Sequence, residues 1–245
     1  GLMGLSLLIS LGICLQNPHH RRWFLSAAIL ASVGLFLSFS RSAWLGTGLG
    51  LLYWAVVTRI WQRIPWHETR LRWALVGALL ILALIGATSG ELVGARLWRL
   101  DSPLEANSIQ ERLRDIGQAW MLIRNQPLTG VGTGYYVDAL WAWANATGQQ
   151  FPAFQKVHNV PLLMAAEMGM IAPALWFGLV LGPPLTLARE ARKSPSNPLR
   201  AAWSAALLLW CAVGLLDYYP YILTFRSAAI LGALCATWSG DEKIR

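Results

Sequence analysis

Residues 189–217 read REARKSPSNPLRAAWSAALLLWCAVGLLD, and their reading decides the fold. Arg189 to Arg200 carry a net charge of +3, Ala201 to Leu216 carry none, and Asp217 closes the run. An uncharged apolar stretch of about 17–25 residues is long enough to cross a bilayer, and a short Lys/Arg-rich loop beside it stays on the cytoplasmic side. The same loop type recurs at Gln16–Arg22, with +2, and at Arg59–Arg72, with +3. These three loops hold the whole net charge of +8, and the rest of the chain sums to zero. The high pI is thus a topology signal, and no nucleic-acid partner is expected from it.

Composition agrees. Hydrophobic residues make up 56% and charged residues 13%, against roughly 45–50% and 25% in soluble globular chains. Reading the chain for spans gives seven candidates, the first of them short: Leu2–Leu15, Trp23–Phe39, Trp44–Val57, Trp73–Ser89, Val160–Ala188, Ala201–Leu216 and Ile222–Trp238. Trp23, Trp44, Trp73, Trp203 and Trp238 stand at span ends, where indole rings favour the headgroup layer. The first stretch starts at the first residue without Met or a basic flank, so it reads as the remnant of a cut helix rather than a signal peptide. Cys14, Cys211 and Cys235 lie inside apolar stretches and give no disulfide framework. The expected fold class is all-α: one membrane domain over residues 1–245, a polytopic transmembrane bundle with a large outer-face loop.

With the basic loops inside, three stretches share the outer face: Ser40–Ala43, Gly90–His158 and Asp217–Tyr221. The long one holds equal numbers of acidic and basic residues, and long loops cross largely regardless of charge. Arg41, Asp217 and Arg226 fall at or beside outer span ends, where charge is costly and marks candidate sites; snorkelling to the interface is the competing reading for both arginines. Within the loop, Ile109, Leu113, Ile116, Trp120 and Ile123 recur at helical spacing over Ile109–Asn125, and Pro127 stops the helix. Such an amphipathic helix would lie on the membrane surface or pack on the bundle. Arg112 borders that stripe, and Arg114 and Asp115 are expected further round.

Gly130-Val131-Gly132-Thr133-Gly134 follows. A dinucleotide-binding loop would need a βαβ setting, so the glycines read either as a backbone open to close ligand approach or as a flexible turn. His158, with Asn159 beside it, is the outer face's only histidine; it suits proton acceptance as well as a plain structural role. His19, His20 and His67 lie on the other side, so no metal site is expected, and no cofactor. Glu167, inside an apolar stretch, must be paired or protonated, and helix-to-helix attachment is its expected role.

These pieces, in this order, resemble the O-antigen ligase and O-antigen polymerase family of bacterial envelope glycosyltransferases. The matching motifs are Ser40-Arg41-Ser42-Ala43-Trp44, Arg112 fifteen residues before Pro127 and Gly130-Val131-Gly132, His158-Asn159 with Glu167-Met168-Gly169, and Asp217-Tyr218-Tyr219-Pro220. One departure is Ile116, where the family more typically has an aromatic residue. The resemblance implies a membrane fold of the C-type glycosyltransferase kind in the bacterial inner (cytoplasmic) membrane, of which this chain would be the C-terminal part, with a periplasmic or extracellular active face. It implies a donor glycan on undecaprenyl diphosphate and an acceptor that is lipid A core, a second lipid-linked glycan or a protein. It casts Arg41 and Arg112 as diphosphate-binding residues and His158 as the catalytic histidine. Asn159, Gly130, Gly132, Asp217, Tyr218 and Arg226 would support them.

Competing readings are a transporter, which would be expected to show related halves and midplane charges, a noncatalytic scaffold, and a protein O-oligosaccharyltransferase of the same family. No internal repeat is visible, and a scaffold leaves the outer-face arginines and histidine unexplained.

Overall fold

The computed structural model describes residues 1–63, 103–151 and 154–222. The spans read at Trp73–Ser89 and beyond Ile222, together with Arg226 and Cys235, lie outside the described residues. The chain divides into two compact units, Gly1–Thr58 with Glu111–Arg245, and Arg59–Gln110. In the second, the described residues form α4 (Ile60–Arg63) and the start of α5 (Pro103–Asn125).

The first unit holds α1 (Leu2–Gln16), α2 (Arg21–Leu37), α3 (Arg41–Thr58), the remainder of α5, α6 (Tyr136–Thr147), α7 (Val160–Met168), α8 (Ile171–Ala191), α9 (Pro198–Leu216) and the short α10 (Tyr219–Ile222). No strand occurs among the described residues. Two described helices, α8 and α9, are long and apolar enough to cross a membrane, at about 31 and 28 Å for their 21 and 19 residues. Helices α1, α2 and α3, with 15, 17 and 18 residues, reach about 22–27 Å.

Helix α9 is the centre. Ala201, Ala202, Ser204, Ala205 and Ala206 are buried on it, and Gly46 and Gly50 of α3 face this small-residue surface. A Cβ at Gly46 would stand 3.0 Å from Leu209 O, and one at Gly50 would stand 3.1 Å from Ala205 O. Backbones come this close where small residues line membrane-helix interfaces. Trp54 Nε1 donates to Pro198 O at 2.9 Å and Tyr53 Oη to Pro184 O at 2.8 Å, tying α3 to α9 and α8. The outward residues are aliphatic: Ile29 and Leu30 on α2, Leu45 and Leu52 on α3, Ile171 and Leu175 on α8 are all more than 60% exposed. In water such surfaces would drive association; a hydrocarbon solvent suits them.

The contacts also fix direction. Gly4 meets Thr47 and Leu209, Gly12 meets Ala202 and Pro198, Gly34 meets Met3, and Trp176 meets Gly214. Hence α1, α3 and α8 run one way and α2 and α9 the other. One end of the unit gathers the Asn17–Arg22 turn, the end of α3 and the Ala191–Pro198 turn, where Ser196 N–H donates to Val57 O at 3.0 Å. The other end gathers Ser38–Arg41, Asn159 and Leu215–Asp217, where Asn159 Nδ2 donates to Leu215 O at 2.9 Å. The basic loops at Gln16–Arg22 and Arg189–Arg200 do share an end, and most of the third, Arg59–Arg72, lies outside the described residues.

Two expectations need correction. The stretch Val160–Ala188 is not one helix: it breaks at Gly169, whose φ of +86° is disfavoured for any residue with a Cβ. The stripe on α5 is also rotated. Ile116 and Ile123 of the expected stripe do pack in the core, with Ala119 and Leu122, against Tyr136, Leu140, Val157 and Leu163, but Ile109, Leu113 and Trp120 are exposed, and Asp115 and Gln118 are buried. The helical period holds, but the buried face is the one that carries Asp115 to its partners, and Leu113 is left exposed.

Candidate active site

The corner between α2 and α3 is built to hold one side chain in place. Ser40 Oγ accepts the Ala43 N–H at 3.3 Å, capping α3. Trp44 Nε1 donates to Leu35 O at 2.8 Å, and its ring stacks on Phe36. Arg41 thereby becomes the first residue of α3, half-buried. A guanidinium there adds to the positive end of the helix dipole, so both attract an anion.

Glycine motifs build the second part. Gly130 has φ +65°, and a Cβ on it would collide with the Glu167 carbonyl group and Met168 N; a Cβ on Gly169 would collide with Leu128 O. The Gly130–Gly134 loop therefore docks onto the break between α7 and α8. Val131 N–H donates to Ala166 O at 2.9 Å, Gly132 N–H to Glu167 O at 2.9 Å and Met170 N–H to Pro127 O at 2.9 Å. Those loop N–H groups are turned to the protein, away from any ligand. Glu167, fully buried, is paired as expected: Gly134 N–H donates to Oε2 at 2.9 Å, Tyr221 Oη donates to Oε2 at 2.8 Å, and Lys156 Nζ lies 3.5 Å from Oε1. Burial first, then this carboxylate, holds the Tyr221 phenol above its usual range, so it remains a donor.

The docked loop and α5 enclose the segment leading to His158. Asn159 clamps it: its Oδ1 accepts the Leu162 N–H at 2.9 Å, capping α7, while Nδ2 reaches Leu215 O. His158 Nδ1 is itself buried and stands 3.5 Å from Asp115 Oδ2, and a quarter of the His158 side chain remains exposed. Gln155 Nε2 donates to the same Oδ2 at 2.9 Å, Arg114 Nη2 lies 3.8 Å from Oδ1, and Tyr136 Oη donates to the Asp115 carbonyl at 3.4 Å. Burial raises the Asp115 carboxyl above its ordinary range; Gln155, Arg114 and His158 pull it back. The ring of Tyr218 meets His158 edge-on at 5.0 Å, held by a turn in which Asp217 Oδ1 accepts the Tyr218 N–H at 2.8 Å.

A histidine with one nitrogen against a buried carboxylate and an exposed remainder can accept a proton on the open side while the carboxylate balances the charge. Arg112 is exposed on α5, one turn before Asp115 on the neighbouring stripe. Among the described residues no His, Cys, Asp and Glu side chains converge as a metal set.

The family model described as O-antigen ligase matches residues 26–177, more than half of the chain. The chain belongs to the O-antigen ligase family. The match takes in Arg41, Arg112, His158 and Glu167, and ends before the Asp217–Tyr221 turn. No curated protein and no solved structure matches the chain. Proteins of the O-antigen ligase family are membrane proteins and glycosyltransferase-type enzymes, acting in general on a lipid-linked glycan and a glycan acceptor.

Asp115, Gln155 and Lys156 were absent from the sequence-derived site. The available signal was the run Asp115, Gln118, Ala119, Leu122 at helical spacing, a second and narrower stripe with an acid in it.

Proposed function

We propose that this O-antigen ligase family chain transfers a glycan from undecaprenyl diphosphate to an acceptor hydroxyl, at the periplasmic or extracellular face of the bacterial inner membrane. The observation that carries this reading is the Asp115–His158 pair, which turns a lone interfacial imidazole into an oriented base. In the reaction, the acceptor oxygen attacks the anomeric carbon as His158 takes its proton through the open ring nitrogen. The anomeric carbon to phosphate-oxygen bond breaks, and undecaprenyl diphosphate departs with the electron pair. Arg41, at the dipole-positive start of α3, and Arg112 would hold the diphosphate, because guanidinium forks match phosphate oxygens. Asp115 would stabilise the imidazolium that forms, and Tyr218 would fix the ring plane.

The test uses the full-length protein with a lipid-linked oligosaccharide. His158→Ala is expected to lower transfer about 10²–10⁴-fold while lipid-diphosphate binding persists, and Arg41→Lys to weaken that binding. Near-normal transfer by stably folded His158→Ala would overturn the reading.

A further inference from the structure

A concavity of about 420 Å³ opens at the C-terminal end of α6, away from the charged groups of the site. Its volume lies within the roughly 300–1,000 Å³ usual for small-molecule sites. Two kinds of side chain line it. Trp141 and Phe154 lie nearly parallel, 4.0 Å between centroids and 12° apart, and Phe151 meets Phe154 edge-on at 5.8 Å. Asn145, Gln149 and Gln150 supply amides. Trp141 is 51% exposed despite its stacking, so part of its indole remains uncovered.

The local chain makes this shape. Gly148 ends α6 in the left-handed region at φ +68°, and the chain folds back over the helix end. Trp143 Nε1 donates to Gln149 Oε1 at 3.4 Å, and Gln149 N–H to Thr147 Oγ1 at 3.4 Å, which holds the turn.

We propose that this concavity is a binding subsite for a neutral segment of a glycan, an assignment that rests on the glycan-transfer reading above. A pyranose ring has an apolar C–H face and a rim of hydroxyls. The C–H face suits the electron-rich face of Trp141, and hydroxyls need partners that both donate and accept, as primary amides do. Among the described residues no charged side chain lines the concavity, which matches an uncharged sugar and gives a diphosphate no counter-charge. A lipid tail would leave the amides without partners, an unfavourable exchange. The place also fits. Phe154 lines the concavity and His158, the base, is four residues on, so the two lie no more than about 14 Å apart along the chain. A glycan reacting at His158 reaches this platform with units beyond the reacting sugar.

The experiment uses the full-length protein in nanodiscs, with soluble tetrasaccharides of glucose, galactose and N-acetylglucosamine as probes, read by saturation-transfer NMR and tryptophan fluorescence. At least one is expected to bind wild type, and Trp141→Ala to weaken it about tenfold or more. Asn145→Ala, at an exposed position, should weaken it measurably with the fold intact. His158→Ala should bind as wild type does, and Trp141→Ala should raise KM for the glycan substrate more than it lowers kcat. Saccharide binding that ignores both Trp141 and Asn145 overturns the subsite even if His158→Ala abolishes transfer. Saccharide binding that follows Trp141 upholds it even if His158→Ala transfers normally. A Trp141→Ala variant that detaches the loop from lipid without altering saccharide binding would make the aromatic cluster a headgroup anchor instead.

Discussion

The two ends of the membrane unit use charge in opposite ways. At one end Arg21, Arg22, Arg189, Arg192 and Lys193 are exposed, and the ion pair between Arg200 and Glu190, 2.9 Å long, has side chains 25% and 49% exposed. At the other end Asp115 and Glu167 are fully buried, each within reach of several partners. An exposed charge is well solvated and acts through the field it shares with its neighbours, so its exact partner hardly matters. A buried charge must be met by named groups at short range, so its surroundings become specific. Charge at one end therefore acts collectively, and charge at the other can hold chemistry.

The comparison breaks most sharply if the packing that buries Glu167 can be lost without harm. Gly169→Ala places a Cβ against Leu128 O in a backbone region that disfavours it, and the docked loop would have to move. The cost should be about 3 kcal/mol or more, about 6 °C or more in Tm for a chain of this size. Thermal unfolding in detergent would measure it, and hydrogen exchange at Val131 and Gly132 should accelerate with it. A variant melting within 2 °C of wild type would mean that the two glycine motifs do not depend on each other.

That pairing explains why sequence reading reached some of the molecule and stopped short of the rest. Charge placement put the loops at Gln16–Arg22 and Arg189–Arg200 on one side, because sidedness depends on the number of Lys and Arg residues in a short loop and needs no tertiary contact. Helical period found α5 and, through Ile116 and Ile123, part of the face it buries, but not Asp115, which trades solvent for Gln155 and His158, 40 and 43 residues away. The break at Gly169 was likewise hidden: nothing local to Glu167-Met168-Gly169 announces that Gly130 docks there. Gly46 and Gly50, which let α3 meet α9, looked like unremarkable members of an apolar run.

A finer test of the buried end is Asp115→Asn, which keeps the shape and removes the charge. Burial raises the folded-state pKa of Asp115 above the unfolded value. The folded state then binds the proton more tightly, so stability falls as pH rises through the interval between those two values. Asp115→Asn should remove that slope, making the variant more stable relative to wild type at pH 7 than at pH 4, by chemical or thermal unfolding. Transfer should nevertheless drop, by about ten- to a thousandfold, because an amide cannot balance the imidazolium charge on His158. A variant that gains relative stability toward acid would show that ion pairing, and not burial, dominates at this carboxylate.

The smallest expected effect lies at the exposed end, and it sharpens the comparison by its smallness. Arg200→Gln removes the Glu190 pair but should change stability by no more than about 0.5 kcal/mol, with the difference shrinking further in high salt. It leaves three of the loop's four Lys and Arg residues, Arg189, Arg192 and Lys193, so sidedness should hold. A cysteine introduced at exposed Ser194 would stay shielded from a membrane-impermeant thiol reagent in intact cells, and one at Gln149 would be labelled. Neutralising Arg189, Arg192, Lys193 and Arg200 together removes the loop's positive charge, and should let a measurable fraction of Ser194→Cys chains label from outside. If Arg200→Gln alone moved either the melting temperature or the labelling pattern substantially, the exposed end would hold a specific structural contact after all. Its charges would then be doing locally what Asp115 and Glu167 do at the other end.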